Sequence, residues 1–455
     1  MTIYDVHGMR AIVVGAARSG IAAAELLATR GARVVLSDAR ADVPGAARLC
    51  ELGVTLELGG HVPATFAQAD CIVMSPGVPP ELPVVARARA AGVPTISEIE
   101  LASRFLQGKV IAVTGTKGKS TTTTLIGRIL RQAGRAVTVG GNIGTPLSGQ
   151  VAQSTPETLH VVECSSFQLE LIDRFHPWVA VLLNLSADHL DRHPSLEAYA
   201  AAKARIFERQ TLQDHAVVNA EDARVRRLAA DGRAHIHAFS RRGATDAEVF
   251  CRAEWIMASD PTGEYPLMPL EAIQLLGPHL IDDVLAAVAV ARLVDVPPSV
   301  MREAVHSFAG LEHAMELVAE SGGVRFVNDS KATNVDAALR AIESFESGVV
   351  AIIGGRFKGG DLRLLRSVLG ARAAAVVAIG EATPLVHEAL DDIVPVHDAR
   401  TMVDAVAQGQ RLAPANGVVL LAPACASFDM FKDYAERGDR FRDAVHQLVS
   451  RLEMA

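Results

Sequence analysis

The sequence has few aromatic residues, few cysteines, no long apolar run and no excess of basic charge. Phe, Trp and Tyr make up only 4% of its 455 residues, so its cores must be built from Ala, Val, Leu and Ile. The cysteines, Cys50, Cys71, Cys164, Cys251 and Cys425, are odd in number and contain no C-x-x-C pair. That spacing argues against a disulfide scaffold or a zinc ribbon, and a reducing cytoplasm is the expectation. The longest apolar stretches, such as AAAVVAIG and GVVLLA, fall far below the ~18 residues of a membrane span. The opening MTIYDVHGMR lacks an apolar signal core. With 52 acidic against 44 basic residues the net charge is −8. Nucleic acid and anionic membranes need a basic surface, so neither is expected as the main partner. A local basic pocket for a phosphate ligand stays open.

What is present is the balance of an ordinary globular protein, 49% apolar and 21% charged. The length suggests about three domains. Short apolar runs alternate with helical patterns. RAIVVG (10–15), RVVLSD (33–38), VTLELG (54–59) and CIVMSPG (71–77) read as strands, with a helix over 21–31. KVIAVTG (109–115), LHVVE (159–163), VAVLLN (179–184), HAVVN (215–219) and AHIHAF (234–239) form a second series. The stretch 241–278 is less regular, and 281–294 reads as a helix. VRFVND (324–329), VVAIIGG (349–355), AVVAIG (375–380) and VVLLAP (418–423) form a third. Continuous apolar strands separated by helices imply parallel sheets covered on both faces. The expected fold class is α/β in three consecutive domains, 1–97, 98–310 and 311–455. The outer two are expected to be Rossmann-like and the central one a P-loop-type mononucleotide-binding domain.

The strongest motif is VTGTKGKSTTTT (113–124). A strand delivers Gly115, Thr116, Lys117 and Gly118 into a tight loop, and a helix starts at once. Backbone N–H groups and the helix dipole then face an anion. Lys119 would reach the β- and γ-phosphates, and Ser120 or Thr121 would hold Mg²⁺. Val113 stands where the common P-loop has its first Gly, so the loop is a variant. In parallel sheets ligands bind beyond the carboxyl ends of strands. Glu163 and His189 lie at such ends and suit a Mg²⁺ or Mn²⁺ site. From position alone Glu163 is equally a helix-capping acid and His189 a packed surface histidine. Lys203, in AYAAAKARIF, reads as a surface lysine lying along its helix. The turn GAARSG (15–20) followed by Asp38 imitates a dinucleotide site but has Ala17 in place of the central Gly. NDSKATN (328–334), GGRFKGGD (354–361) and PACASFDMFKDY (423–434) follow strands. Their lysines and hydroxyls suit a small dicarboxylate or a phosphate, or are solvated loops.

Taken in order, GTKGKSTTT, GGNIG (140–144), ECSSFQLE (163–170), NLSADHLDRH (184–193), AAKARIFE (201–208) and NDSKATN resemble the Mur ligases. These are the ATP-dependent amide-forming enzymes of peptidoglycan precursor synthesis. ECSSFQLE, NDSKATN, GGRFKGGD and PACASFDMF look like the branch that joins D-glutamate to UDP-N-acetylmuramoyl-L-alanine. The resemblance spans essentially the whole chain. It implies a first domain holding the UDP substrate through Arg18, Ser19, Asp38, Ser75 and Gly77, with Asn142 on its sugar-peptide part. It implies ATP on residues 115–121, Asp283, Asp329 and Lys331, with two Mg²⁺ ions. Ser120, Glu163, His189 and Lys203 would be the metal ligands, Lys203 as a carbamate, which reverses the bland reading of that residue. Lys119, Glu163, His189 and Lys203 would carry the chemistry, an acyl phosphate formed from ATP. Thr333, Lys358, Ser427 and Phe428 would bind the incoming glutamate. A monomer is expected.

Three departures stand out. His313-Ala314 replaces a frequent His-Arg, His279-Leu280-Ile281-Asp282-Asp283 replaces HN-x-x-N, and Ala39 follows Asp38 where a hydroxyl is frequent. Asp283 thus stands for an adenine-contacting Asn, and weaker ATP contacts are the expectation. The rivals are a Mur-type ligase for L-glutamate or another amino acid, a folylpolyglutamate-synthetase-like ligase, an NAD-dependent oxidoreductase and a regulatory P-loop switch. The residues before Lys109 speak against the second, and GTKGKST against the third. A switch needs none of the loops that follow residue 328.

Overall fold

The structure is a computed structural model and describes residues 4–186, 188, 192–244, 246–274 and 279–453. Among the described residues the strands form three sheets, as the alternation of apolar runs implied. The first, entirely parallel, runs Thr55–Leu58, Arg33–Asp38, Arg10–Val14, Cys71–Met74, Thr95–Ser97. The second runs Gly263–Pro269, Trp255–Asp260, Val249–Arg252, His235–Ser240, His215–Asn219, Val179–Leu182, Lys109–Thr114, Leu159–Glu163, Val137–Gly141. The third runs Glu316–Ser321, Val324–Asn328, Val418–Leu421, Val349–Gly354, Ala373–Ile379, Val396–Ala399. Central strands such as Leu159–Glu163, Val179–Leu182 and Val349–Gly354 are buried along their whole length. This is what strands covered by helices on both faces require.

The irregular stretch 241–278 resolves into Val249–Arg252, Trp255–Asp260 and Gly263–Pro269, which extend the second sheet as an antiparallel meander. These strands are only partly buried, so their residues lack the continuous apolar run that marks a central strand. Glu316–Ser321 escapes sequence reading for the same reason: it pairs antiparallel at an edge and has no fully buried residue.

The chain divides into two compact units, Met1–Ile273 with Ile281–His306, and Gln274–Leu280 with Ser307–Ala455. The first unit contains two sheets, and the segment around helix Glu98–Ser103 joins them. Ser97 N donates to the Leu171 carbonyl at 2.9 Å. Glu98 Oε1 accepts from Ser148 N at 2.6 Å. Glu100 Oε2 accepts from the backbone N–H of Asp173, Arg174 and Phe175 at 2.8, 2.9 and 2.8 Å, and its Oε1 from Arg104 Nε at 2.7 Å. No described helix is long and apolar enough to cross a membrane.

Candidate active site

The phosphate loop forms where the sequence places it, between strand Lys109–Thr114 and helix Lys119–Gln132. Gly118 caps the helix at φ 80°. A Cβ there would lie 1.9 Å from Asp283 Oδ1, so only glycine permits this approach. The loop is held from the side by the segment after strand Val179–Leu182. Asn184 Oδ1 accepts from Lys117 N at 2.9 Å, its Nδ2 donates to the Lys117 carbonyl at 3.1 Å, and Thr116 Oγ1 accepts from Ser186 N at 3.0 Å. Lys119 Nζ folds back to the carbonyls of Gly115 and Thr116, at 3.0 and 2.9 Å. Its ammonium is therefore held over the N–H-lined mouth of the helix, where a triphosphate would lie.

Strands Lys109–Thr114, Leu159–Glu163 and Val137–Gly141 stand close enough in the sheet to bring three remote residues together. Glu163 ends its strand 1% exposed. Its Oε2 accepts from Ser120 Oγ at 2.7 Å and its Oε1 from Asn142 Nδ2 at 2.6 Å. The capping reading of Glu163 does not hold, because Ser165 caps the short helix that follows. Lys203, on helix Leu196–Ala204, is 1% exposed and not a surface lysine. Its Nζ lies 3.4 Å from Thr114 Oγ1 and 4.6 Å from the Tyr199 ring centroid. Burial first, and Lys119 second, bring its pKa down to about 7. His189 lies outside the described residues. Asp283 is buried with Oδ2 lacking a partner among the described residues, and burial pushes its carboxyl well above the usual range.

The donor set suits magnesium. Ser120 Oγ and the Glu163 carboxylate are hard oxygens beside a phosphate loop, and Mg²⁺ uses one or two carboxylates plus phosphate oxygens and water. Among the described residues no cluster of three or more His, Cys, Asp or Glu could hold a metal by itself.

In the first sheet Arg18, Ser19, Asp38, Arg40, Ser75 and Gly77 line a cleft of about 340 Å³. Asp38 is engaged within the chain. Its Oδ2 accepts from Ala16 N at 2.6 Å, and Arg40 Nε and Nη2 reach its two oxygens at 3.0 and 2.9 Å. Those Arg40 bonds hold its carboxyl below the usual range. Ser75 Oγ donates to the Gly15 carbonyl at 2.7 Å, and Arg18 Nη1 to the Gly144 carbonyl at 3.1 Å. Arg40 is a cleft residue that sequence reading missed, although it stands two places after Asp38.

In the second unit the three loops picked out from the sequence converge, because their strands, Val324–Asn328, Val418–Leu421 and Val349–Gly354, are neighbours. Arg356 N donates to the Ala426 carbonyl at 2.8 Å and Ala426 N to the Arg356 carbonyl at 3.0 Å. Ala424 N donates to the Ala332 carbonyl at 3.0 Å. A Cβ on Gly355 would lie 2.2 Å from the Ala426 carbonyl oxygen, so the pairing of two loops depends on that glycine. Lys358 Nζ lies 5.5 Å from the Phe428 ring centroid. Ser427 is buried, Phe428 is 57% exposed, Thr333 is half-buried and Lys331 exposed. Asp329 accepts from Met315 N at 3.2 Å, and burial pushes its carboxyl up to about 7. Sequence reading missed Arg437, 1% exposed on helix Tyr434–Glu453. Its Nε donates to Ser330 Oγ at 2.9 Å, Nη1 to the Cys425 carbonyl at 3.0 Å and Nη2 to the Ser330 carbonyl at 2.8 Å. One side chain thus ties two of these loops together, and no local pattern announces it.

Comparison with known proteins follows this division. The family model of the Mur ligase MurD-like N-terminal domain matches residues 9–97, that of the Mur ligase middle domain 113–291, and that of the Mur ligase glutamate ligase domain 314–425. The chain is 46% identical to the UDP-N-acetylmuramoylalanine--D-glutamate ligase of Acidobacterium capsulatum over 97% of each chain. It is 44% identical to the enzyme of that name from Koribacter versatilis, over 98% of this chain and 99% of that one. Among solved structures it is similar to a UDP-N-acetylmuramate-alanine ligase of Thermotoga maritima (19% identity, TM-score 0.58, 96% and 99% of the two chains covered). It is also similar to the MurF ligase of Thermotoga maritima in complex with ADP (16% identity, TM-score 0.57, 98% and 96% covered). These structural likenesses bear on the fold, and the family models and the sequence identities bear on descent. The chain belongs to the Mur ligase family.

Proposed function

We propose that this chain joins D-glutamate to UDP-N-acetylmuramoyl-L-alanine with cleavage of ATP to ADP and phosphate, a step of peptidoglycan precursor synthesis. The observation that carries the reading is the single constellation of Lys119, Ser120, Asn142 and Glu163 at one sheet edge. The 46% identity to a relative named for this reaction supports the choice of substrates. On this reading residues 1–97 hold the UDP substrate, 98–310 hold ATP, and 311–455 hold glutamate.

A carboxylate and an amine do not condense in water, so the carboxylate must first gain a leaving group. The alanine carboxylate oxygen attacks the γ-phosphorus of ATP, the bond to the β-phosphate oxygen breaks, and ADP leaves. Loop 115–120 orients the triphosphate through backbone N–H groups, and the Lys119 ammonium moves from its carbonyl partners to the phosphates. Ser120, Glu163 and Lys203 would hold magnesium, two ions with His189 completing the set. When bound, magnesium neutralises charge on the transferring group. The neutral amine of D-glutamate then attacks the acyl carbon, the acyl C–O bond breaks, and phosphate departs while the nitrogen loses one proton to give the amide. Thr333, Lys358 and Ser427 would hold the glutamate carboxylates, and Asp329 and Lys331 would face ATP.

Lys203 is suited to carry a carbamate. The neutral amine attacks CO₂, an N–C bond forms and a proton is released, leaving a carboxylate on the side chain. Burial favours the neutral amine this requires. With Ala314, Leu280 and Asp283 standing where relatives commonly have Arg, Asn and Asn, weaker ATP contacts are expected. Ala314→Arg is expected to lower the KM for ATP, read from initial rates. The decisive experiment is phosphate release with UDP-N-acetylmuramoyl-L-alanine plus D-glutamate, L-glutamate or L-lysine. Release with D-glutamate alone is expected; release with L-glutamate or L-lysine alone overturns the substrate choice.

A further inference from the structure

We infer that the Arg192 guanidinium receives the diphosphate of the nucleotide-sugar substrate as it leaves the cleft of the first sheet; this deepens the ligase reading above and rests on it. Arg192 is half-buried, with its Cζ 4.5 Å from the centroid of the Phe167 ring. Phe167 belongs to the short helix that follows Glu163, so Arg192 stands beside the reacting edge of the central sheet. It lines a small cavity together with Ser75, Pro76 and Val78. The same three residues line the cleft that also holds Arg18, Asp38 and Arg40. One loop is therefore the common wall of the nucleotide cleft and the Arg192 cavity. A substrate that runs from the first sheet to Glu163 passes along it.

The other arginines of that cleft have partners within the chain. Arg40 turns Nε and Nη2 onto Asp38, and Arg18 turns Nη1 onto the Gly144 carbonyl. Arg192 is held by the Phe167 ring, and among the described residues its guanidinium makes no hydrogen bond or ion pair. Glu170, the acid whose field it feels, sets Oε1 3.2 Å from His193 Nδ1. A planar fork of donors resting on an aromatic face is the preorganised form in which arginine binds phosphate oxygens. The diphosphate is the most highly charged part of the substrate, and the N-terminus of helix Arg18–Thr29 offers it backbone donors, a partial charge and the Ser19 hydroxyl, while Arg18 is turned onto the Gly144 carbonyl.

The test compares wild type with Arg192→Ala and Arg192→Lys, using UDP and uridine as probes in titration calorimetry and UDP-N-acetylmuramoyl-L-alanine in initial-rate assays. Arg192→Ala is expected to weaken UDP binding at least tenfold, to leave uridine binding within twofold, and to raise the KM for the nucleotide-sugar substrate by a similar factor. The KM for ATP and the melting temperature stay at wild-type values, and Arg192→Lys recovers part of the UDP affinity. Unaltered UDP binding in Arg192→Ala, with normal wild-type turnover, overturns the inference and leaves the ligase reading intact. Wild-type protein that binds no UDP overturns both.

Discussion

At the scale of single residues, two buried ionisable groups beside the phosphate loop have opposite chemical consequences. Lys203 loses its charge more easily because it is buried near Lys119, and a neutral amine is a nucleophile for CO₂. Lys203→Arg keeps a cation of similar reach but cannot form a carbamate. It is expected to lower phosphate release by two orders of magnitude or more, and to abolish the carbamate ¹³C resonance that wild type shows in ¹³C-bicarbonate. A wild-type spectrum without that resonance removes the carbamate. Burial against Gly118 raises the Asp283 carboxyl well above the ordinary range, so the native protein holds that proton to higher pH than the unfolded chain does. In the unfolded chain the same carboxyl ionises near its ordinary pKa. Native stability therefore falls as pH rises from the ordinary carboxylate range towards the raised native value. Asp283→Asn removes that penalty without changing side-chain shape. Its melting temperature is expected to exceed that of wild type at pH 8 and to converge with it near pH 4.

At the scale of elements, the parts legible in the sequence are those whose signal is local. Each central strand is a continuous apolar run, and the loop VTGTKGKST couples a strand end to a helix start within a dozen residues. Local reading failed where a role depends on a neighbour. Lys203 looks like any helical lysine until Tyr199 and Thr114 are seen around it. The meander over Val249–Pro269 is hidden because its strands are half-exposed and short. Arg437 is the clearest case, since its acceptors Ser330 and Cys425 lie 107 and 12 residues earlier in the chain, in two different loops. Burial lowers its pKa to about 10, so it stays charged at neutral pH. Arg437→Met would fill similar volume but leave Ser330 and Cys425 carbonyls buried without a donor. Each such loss is worth about 1–3 kcal/mol. The expected outcome is a lower melting temperature and a KM for D-glutamate raised about tenfold, with the KM for the UDP substrate unchanged. Equal effects on both constants would show that Arg437 does not act through these loops.

At the scale of the whole molecule, the first two sheets share one compact unit and one continuous apolar core, and buried carboxylates reinforce the joint between them. Glu100 is fully buried and satisfies three successive N–H groups of the turn Asp173–Phe175 while pairing with Arg104. That turn follows the strand and short helix carrying Glu163 and Phe167, and helix Glu98–Ser103 follows the last strand of the first sheet. Glu100 is thus one of the links, with Ser97, Glu98 and Arg18, between the cleft of the first sheet and the edge of the second sheet that carries Glu163. Removing it leaves the N–H groups of Asp173, Arg174 and Phe175 without their carboxylate and leaves Arg104 only the more distant Asp173, a loss on the order of 3–5 kcal/mol. Glu100→Ala is expected to lower the first calorimetric transition and to raise the KM for the UDP substrate more than the KM for ATP, because only the former ligand must bridge the two sheets. Glu100→Gln keeps an acceptor oxygen for the turn, so it should retain most of the wild-type KM while losing the ion pair with Arg104. If Glu100→Ala shifts both constants equally, the joint serves stability alone and the register between cleft and reacting edge is set elsewhere.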